Sequence, residues 1–325
     1  MALVDRLHGP AFIFPGQGSQ YVGMGKALYN EYPEARAVFE EASDAAGVDI
    51  ARLCFDGPES ELNMTENTQP AILTASLAVH AVLGAMHIRP IAAAGHSLGE
   101  LTAVAAAGGL TVGAAAALAR KRGKYMQEAV PEGKGLMAAV LGLDAEKIEE
   151  ACSGASAVGL ASPANYNSPG QVVIAGERAA VEKAAELCRE MGAKRVVPLT
   201  VSVPSHCMLM APAVERLKSD LDVAGIKDLD FPIASNASGK LIDKAGDVKE
   251  GLLRQLTMPL LWEDCVHALV LHGADTLIEV GPGKVLSGLI KRITKEAEIR
   301  NVEDAVSFNT TLDYLSIGCR ISPKK

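Results

Sequence analysis

The residues Gly95-His96-Ser97-Leu98-Gly99 spell G-x-S-x-G. A short apolar run at 91–94 precedes them, and a helical pattern opens at Leu98. Strand, sharp turn and helix in that order is the setting in which a serine hydroxyl serves as a nucleophile. The two glycines relieve crowding at the turn, so the Ser97 hydroxyl projects beyond the sheet edge. The N–H of Leu98, at a helix N-terminus, then points to where an oxyanion would form. The competing account is a chance junction of small residues; the strand before it and the helix after it favour the nucleophile.

Such a serine needs a base. The histidines are His8, His80, His87, His96, His206, His267 and His272. His80 and His87 lie on or at the end of an apolar helix and read as core or surface residues. His267 and His272 have neither i+3 nor i+4 spacing, which argues against a shared metal site. His206 follows Val203-Pro204-Ser205 in a loop between a strand and a helix, a position of the kind that holds catalytic residues. His206 leads on these grounds, and His267 stays open.

Gly16-Gln17-Gly18-Ser19-Gln20 follows the first strand. It starts like a dinucleotide fingerprint, but Tyr21 stands where the third glycine belongs. The same turn, presenting backbone N–H groups, equally suits an oxyanion hole. Gly281-Pro282-Gly283-Lys284 lacks the Ser or Thr of a phosphate loop and reads as a helix-start turn. Arg120-Lys121-Arg122 closes a helical pattern. It is either a solvated, dipole-compensating helix end or the source of an arginine turned into a cleft, where its fork would bond both oxygens of a carboxylate.

The elements that must position these residues alternate as in an α/β protein. Buried strands are expected at 11–14, 91–94, 231–235 and 276–280, with helices between them, including one at 70–86. The uncharged stretch 101–119 is long enough to be weighed as a membrane span. Gly108-Gly109 divides it, so two close-packed helices are expected instead. The middle of the chain changes character. Strands at 136–143, 157–161, 172–175 and 195–201, with helices at 145–152 and 180–191, give the order β-α-β-β-α-β of a ferredoxin-like unit. This predicts a small domain at 132–202 set into a large domain formed by 1–131 and 203–306. The tail, 307–325, carries little pattern and a basic end, and reads as disordered.

Composition narrows the classes. In 325 residues, 49% are hydrophobic and 22% charged, which excludes intrinsic disorder of the whole. The 31 basic and 39 acidic residues leave a net charge of −8, and aromatics are only 4%, both against nucleic-acid binding. The six cysteines form no CxxC pair, so neither a disulfide framework nor a structural metal is expected. Reduced cysteines and the lack of a signal-peptide pattern point to the cytoplasm.

Several segments follow one another in a telling order: FPGQGSQ at 14–20, GHSLGE at 95–100, Arg122-Gly123, NSPGQVVIAG at 167–176, VPSH at 203–206, QLT with Pro259 at 255–259, and EVGPGKVL at 279–286. Together they resemble the malonyl-CoA:acyl-carrier-protein transacylases, acyltransferases of fatty-acid and polyketide synthesis. The resemblance implies an α/β-hydrolase-like parallel-sheet core carrying the ferredoxin-like insert, with the active site between them. It implies Ser97 as nucleophile and His206 as base, oriented by the carbonyl of Gln255 rather than by a carboxylate. The N–H groups of Gln17 and Leu98 would form the oxyanion hole, and Arg122 would hold the free malonyl carboxylate. Asn165 and Asn167 are placed near the cleft without roles. The implied reaction is ping-pong, from malonyl-CoA through a malonyl-serine ester to the phosphopantetheine thiol of holo acyl carrier protein. No metal, redox cofactor, nucleic acid or membrane is expected, and a monomer is.

Carriers of this family are acidic, so a basic face must receive them against the overall charge. Lys284, Lys291 and Arg292 share one helix side; Lys194 and Arg195 are the competing patch. Two other classes stay open. A serine esterase or thioesterase would use the same elbow, though no triad acid is evident and Arg122 argues against it. A nucleotide-binding oxidoreductase would rest on Gly16 and Gly18.

Overall fold

The computed structural model describes residues 8–199 and 203–321. Its strands are β1 (Gly9–Phe14), β2 (Ala92–Gly95), β3 (Gly135–Leu141), β4 (Ala161–Ser168), β5 (Gln171–Glu177) and β6 (Arg195–Pro198). They continue with β7 (Ile233–Ala234), β8 (Leu241–Ile242), β9 (Leu260–Leu261), β10 (Ala274–Val280) and β11 (Glu298–Val302). The larger sheet has the order β11-β10-β1-β2-β7-β8. It is parallel from β11 to β7, and β8 pairs antiparallel at one edge. Parallel sheets are covered on both faces and read as unbroken apolar runs. Residues 11–14 of β1 and all of β2 are accordingly buried. The period of two divides their side chains between two cores. Phe12 and Phe14 pack with the helix Thr65–Ala85, and Ala11 and Ile13 pack with Trp262 and Leu277.

The second sheet has the order β6-β3-β5-β4-β9. Its first four strands come from one stretch of chain in the sequence β-α-β-β-α-β, and helices Ala145–Gly154 and Arg178–Glu190 cover one face. The fifth strand, β9, arrives from the other part of the chain and lies parallel to β4. The strand expected at 157–161 is displaced. Ser156–Val158 forms a short 3-10 turn and the strand is β4. Its sequence, ASPANYNS, looks like a loop because its inward residues are polar; Asn165, Asn167 and Ser168 are buried nonetheless. The last strand ends at Pro198, and the expected residues 200–201 lie outside the described ones.

The uncharged stretch 101–119 is divided as expected, between helices Leu98–Ala106 and Val112–Ala129, with the turn at Gly108-Gly109. The helix expected from Pro70 begins earlier, at Thr65, with Pro70 inside it. Pro70 sits close enough to the start that its absent N–H removes only one early backbone bond. This helix is long and apolar enough to cross a membrane by length and composition, yet 78% of its apolar window is buried within the fold.

The disordered tail is not what the structure has. Residues 305–321 form a helix, Ala305–Ile321. Asp304 caps it, accepting from the Ser307 N–H at 2.8 Å. Phe308, Thr311, Leu312 and Leu315 recur at helical spacing. Phe308 is 1% exposed, stacks edge-on against Tyr32, and joins the core with Leu312 and Leu315. Interspersed Ser, Asn and Thr hide that apolar stripe in the sequence. Ser322–Lys325 lie outside the described residues. Phe308→Ala should therefore destabilise the protein by about 3–5 kcal/mol, the usual cost of emptying a buried aromatic site. Chemical denaturation reads it; a loss within about 0.5 kcal/mol, as at a surface position, would return the segment to disorder.

Candidate active site

The site begins with a steric constraint. A Cβ on Gly95 would lie 1.8 Å from the Gly99 carbonyl, and one on Gly99 would lie 2.1 Å from the Phe14 oxygen. Only hydrogen fits at either place, so the chain can turn from β2 into the helix Leu98–Ala106 directly over the end of β1. Ser97 takes the corner at φ 55° and ψ −107°, a conformation most residues avoid. Its backbone is held on both sides. The Ser97 N–H donates to Asn236 Oδ1 at 2.9 Å, and its carbonyl accepts from Gln255 Nε2 at 2.9 Å.

His206 meets this serine. Its Nε2 lies 2.8 Å from Ser97 Oγ, and its Nδ1 lies 2.6 Å from the backbone carbonyl of Gln255. A carbonyl only accepts, so Nδ1 carries the proton and Nε2 is free to take one from the hydroxyl. His206 also has positive φ, 61°, on the loop ahead of the helix Ala211–Ala224. Burial, reinforced by the nearby charge of Arg122, pushes its pKa down to about 3. The imidazole is therefore neutral at pH 7.

Arg122 comes from the helix Val112–Ala129 and is 3% exposed. That helix approaches the helix Thr65–Ala85 closely because a Cβ on Gly123 would meet the Thr65 oxygen at 2.5 Å. The guanidinium donates to Gln69 Oε1 at 2.7 Å, to Gln255 Oε1 at 2.7 Å and to Ser97 Oγ at 3.3 Å. It has no ion pair among the described residues, and burial lowers its pKa to about 10, leaving it charged. Arg120, the alternative, instead bonds the carbonyls of Ala46 and Gly47 on the outside.

These groups line one cleft of about 400 Å³ between the two sheets. Gln17 and Leu98 border it, and the backbone N–H of neither is taken by another group among the described residues. Asn165 and Asn167 border it from β4, as placed, and Asn167 Oδ1 lies 2.9 Å from His96 Nε2. His267 is elsewhere, half exposed and 3.9 Å from Glu263. The Gly281-Pro282-Gly283 turn does start a helix, Val285–Ile293. Glu279 fixes it by accepting from the N–H groups of Leu286 at 3.0 Å and Ser287 at 2.7 Å.

Sequence reasoning missed Gln69, Glu100 and Asn236. Asn236 Nδ2 donates to the Gly95 carbonyl at 2.8 Å, and Glu100 Oε2 accepts from Gln255 Nε2 at 2.6 Å. Asn236 follows β7 at the carboxyl end of the parallel sheet, where α/β ligands bind, and that position was its one visible signal. Burial raises the Glu100 pKa to about 7.

The acyl transferase domain model matches residues 11–310. The malonyl CoA-acyl carrier protein transacylase of Bacillus subtilis is 45% identical over 306 residues, 94% of this chain and 96% of that protein. The chain belongs to the malonyl CoA-acyl carrier protein transacylase family. An acyl carrier protein S-malonyltransferase of Vibrio cholerae superposes with a TM-score of 0.90 at 44% identity, covering 93% of this chain and 99% of that one. A malonyl-transacylase solved with its type II PKS acyl-carrier protein gives 0.91 at 45% identity, covering 94% and 99%. Membership makes this chain an acyltransferase.

The neutral imidazole has a consequence for stability. A histidine whose folded pKa lies below its unfolded value costs stability as pH falls between the two. For His206 the window runs from about 6.5, the unfolded value, down to about 3. Between pH 6.5 and 5 it should account for about 2 kcal/mol of lost stability. Denaturant titrations should show a shallower acid slope for His206→Gln than for wild type; equal slopes would mean that His206 takes up a proton in the native state.

Proposed function

We propose that this protein transfers the malonyl group of malonyl-CoA to the phosphopantetheine thiol of holo acyl carrier protein, by a ping-pong route through a malonyl ester on Ser97, in fatty-acid synthesis. The observation that carries this reading is Arg122. A guanidinium buried beside the Ser97 hydroxyl, oriented by two amide oxygens and in direct ion pair with no carboxylate among the described residues, its nearest buried acid, Glu100, being held off by the Gln255 amide, favours an acyl group that brings its own negative charge. Acetyl and malonyl differ by that carboxylate.

In this reading His206 Nε2 takes the Ser97 proton as Oγ attacks the thioester carbon. The oxyanion rests on the N–H groups of Gln17 and Leu98. The intermediate collapses with cleavage of the C–S bond, and the proton passes from His206 to the departing coenzyme A thiolate. The carrier thiol repeats these steps in reverse order. A malonyl carboxylate on Arg122 also offsets the charge that disfavours imidazolium, so the matching substrate improves the base. The transfer changes no oxidation state and calls for no redox cofactor or metal. We read the two sheets as a hydrolase-like core, 1–131 and 203–306, with a ferredoxin-like insert at 132–202. We place the enzyme in the cytoplasm as a monomer.

Intact-mass measurement after mixing with malonyl-CoA tests the core of this. Wild type should gain one malonyl group that persists until holo carrier is added, and Ser97→Ala should gain none. Arg122→Ala should lose roughly a hundredfold or more of its malonyl-over-acetyl preference, as two charge-assisted bonds are removed. An adduct on Ser97→Ala, or one that water removes as fast as the carrier does, would sink the transferase reading.

For the carrier we propose the face made by Lys284, Lys291 and Arg292, on a helix whose Leu286 and Leu289 line the cleft. Lys284 lies 3.4 Å from Glu303, and Arg292 donates to Gln171. Charge reversal at Lys284 and Lys291 should raise the KM for carrier and leave acylation by malonyl-CoA near its wild-type rate. An effect only on reversal of Lys194 and Arg195 would move docking to the small sheet.

A further inference from the structure

Gln255 carries an amide whose oxygen and nitrogen are almost identical in shape. Only its surroundings decide which end faces Arg122. On one side Nε2 donates to Glu100 Oε2 at 2.6 Å and to the Ser97 carbonyl at 2.9 Å. On the other, Oε1 accepts from Arg122 at 2.7 Å. Reversing the amide would set its NH2 against the guanidinium, donor against donor. Glu100 itself is 1% exposed, on the first turn of the helix after Ser97, where a negative charge is favoured by the helix dipole. Its other oxygen accepts from the Asn236 N–H at 3.2 Å.

We infer that Glu100 is a positioning residue for selectivity: as an acceptor on both oxygens, it fixes the direction of the Gln255 amide and thereby the aim of the Arg122 guanidinium. Its side chain bonds Asn236 and Gln255, whereas Ser97 Oγ is met by His206 and Arg122. The order of polarity runs from Glu100 through Gln255 to Arg122, and each member has one workable orientation given the one before. The base is oriented separately, by the Gln255 backbone carbonyl, which no amide reversal moves. Loss of Glu100 should therefore injure the reading of a carboxylate more than the attack on a thioester.

The inference rests on Arg122 as the malonyl reader. Its test compares kcat/KM for Ser97 acylation by malonyl-CoA and by acetyl-CoA. Glu100→Gln keeps the shape but introduces an NH2 that must face either the Gln255 NH2 or the Asn236 N–H. The malonyl value should fall roughly 10–100-fold, with a smaller fall for acetyl. Glu100→Asp shortens the side chain but keeps two acceptors. Both of its rates should drop together, with the malonyl-to-acetyl ratio kept within a few-fold of wild type. A packing role predicts the opposite order, with Gln tolerated better than Asp. Equal falls for both substrates in Glu100→Gln, or a collapsed ratio in Glu100→Asp, would overturn the inference. If Glu100→Gln does not fold, the ratio in Glu100→Asp decides alone. Arg122→Ala, run in parallel, separates the two ideas. An unchanged ratio there removes the underlying reading, whereas a collapsed ratio there with an intact one in Glu100→Gln removes only Glu100.

Discussion

Gln255 makes hydrogen bonds to His206, Arg122, Ser97, Glu100 and Asn236. Its backbone carbonyl and its side chain do different work, and both ends are buried, so neither set of bonds is traded for water. The carbonyl orients the imidazole without adding a charge. A carboxylate in that place would stabilise imidazolium, and it would also stand within the field of Arg122 and weaken that residue's hold on an anionic substrate. A neutral acceptor for the histidine and an arginine kept out of direct contact with any carboxylate among the described residues are thus two parts of one electrostatic arrangement.

Sterics support that arrangement from below. The serine corner lies over the end of β1 only because Gly95 and Gly99 present no side chain to each other or to Phe14. The strained serine backbone then needs partners, and Asn236 and Gln255 supply them from the two segments that follow β7 and precede β9. Strain at one residue is balanced by hydrogen bonds to side chains well over a hundred positions away.

What could be read in advance follows from this distance. Ser97, Leu98 and Gln17 were legible because glycines and apolar runs beside them announce their turns locally. On local grounds His206 is only the better of two histidines, the resemblance implies it, and the structure brings it, not His267, to the serine. Gln69 holds an ordinary helix position, Glu100 closes the GHSLGE segment without announcing a partner, and Asn236 is marked only by its place after a parallel strand, since their roles exist only in the folded arrangement. The strand β4 was displaced in the reading because its buried face is polar, and the last helix was lost because Ser, Thr and Asn dilute its stripe. In both places a polar residue is buried for a reason that alternation alone does not reveal.

The strand β9 has a mechanical consequence. Leu260 sits in register with Asn165 of β4, and the Leu261 N–H donates to the Asn236 carbonyl at 2.8 Å. The edge of the small sheet is therefore tied, through a few residues of chain, to Gln255 and, through one hydrogen bond, to Asn236. A shift of that sheet along β4 would pull on both anchors of the serine corner. The far wall of the cleft and the reacting hydroxyl share one reference point, so the width of the opening and the aim of the nucleophile are set together.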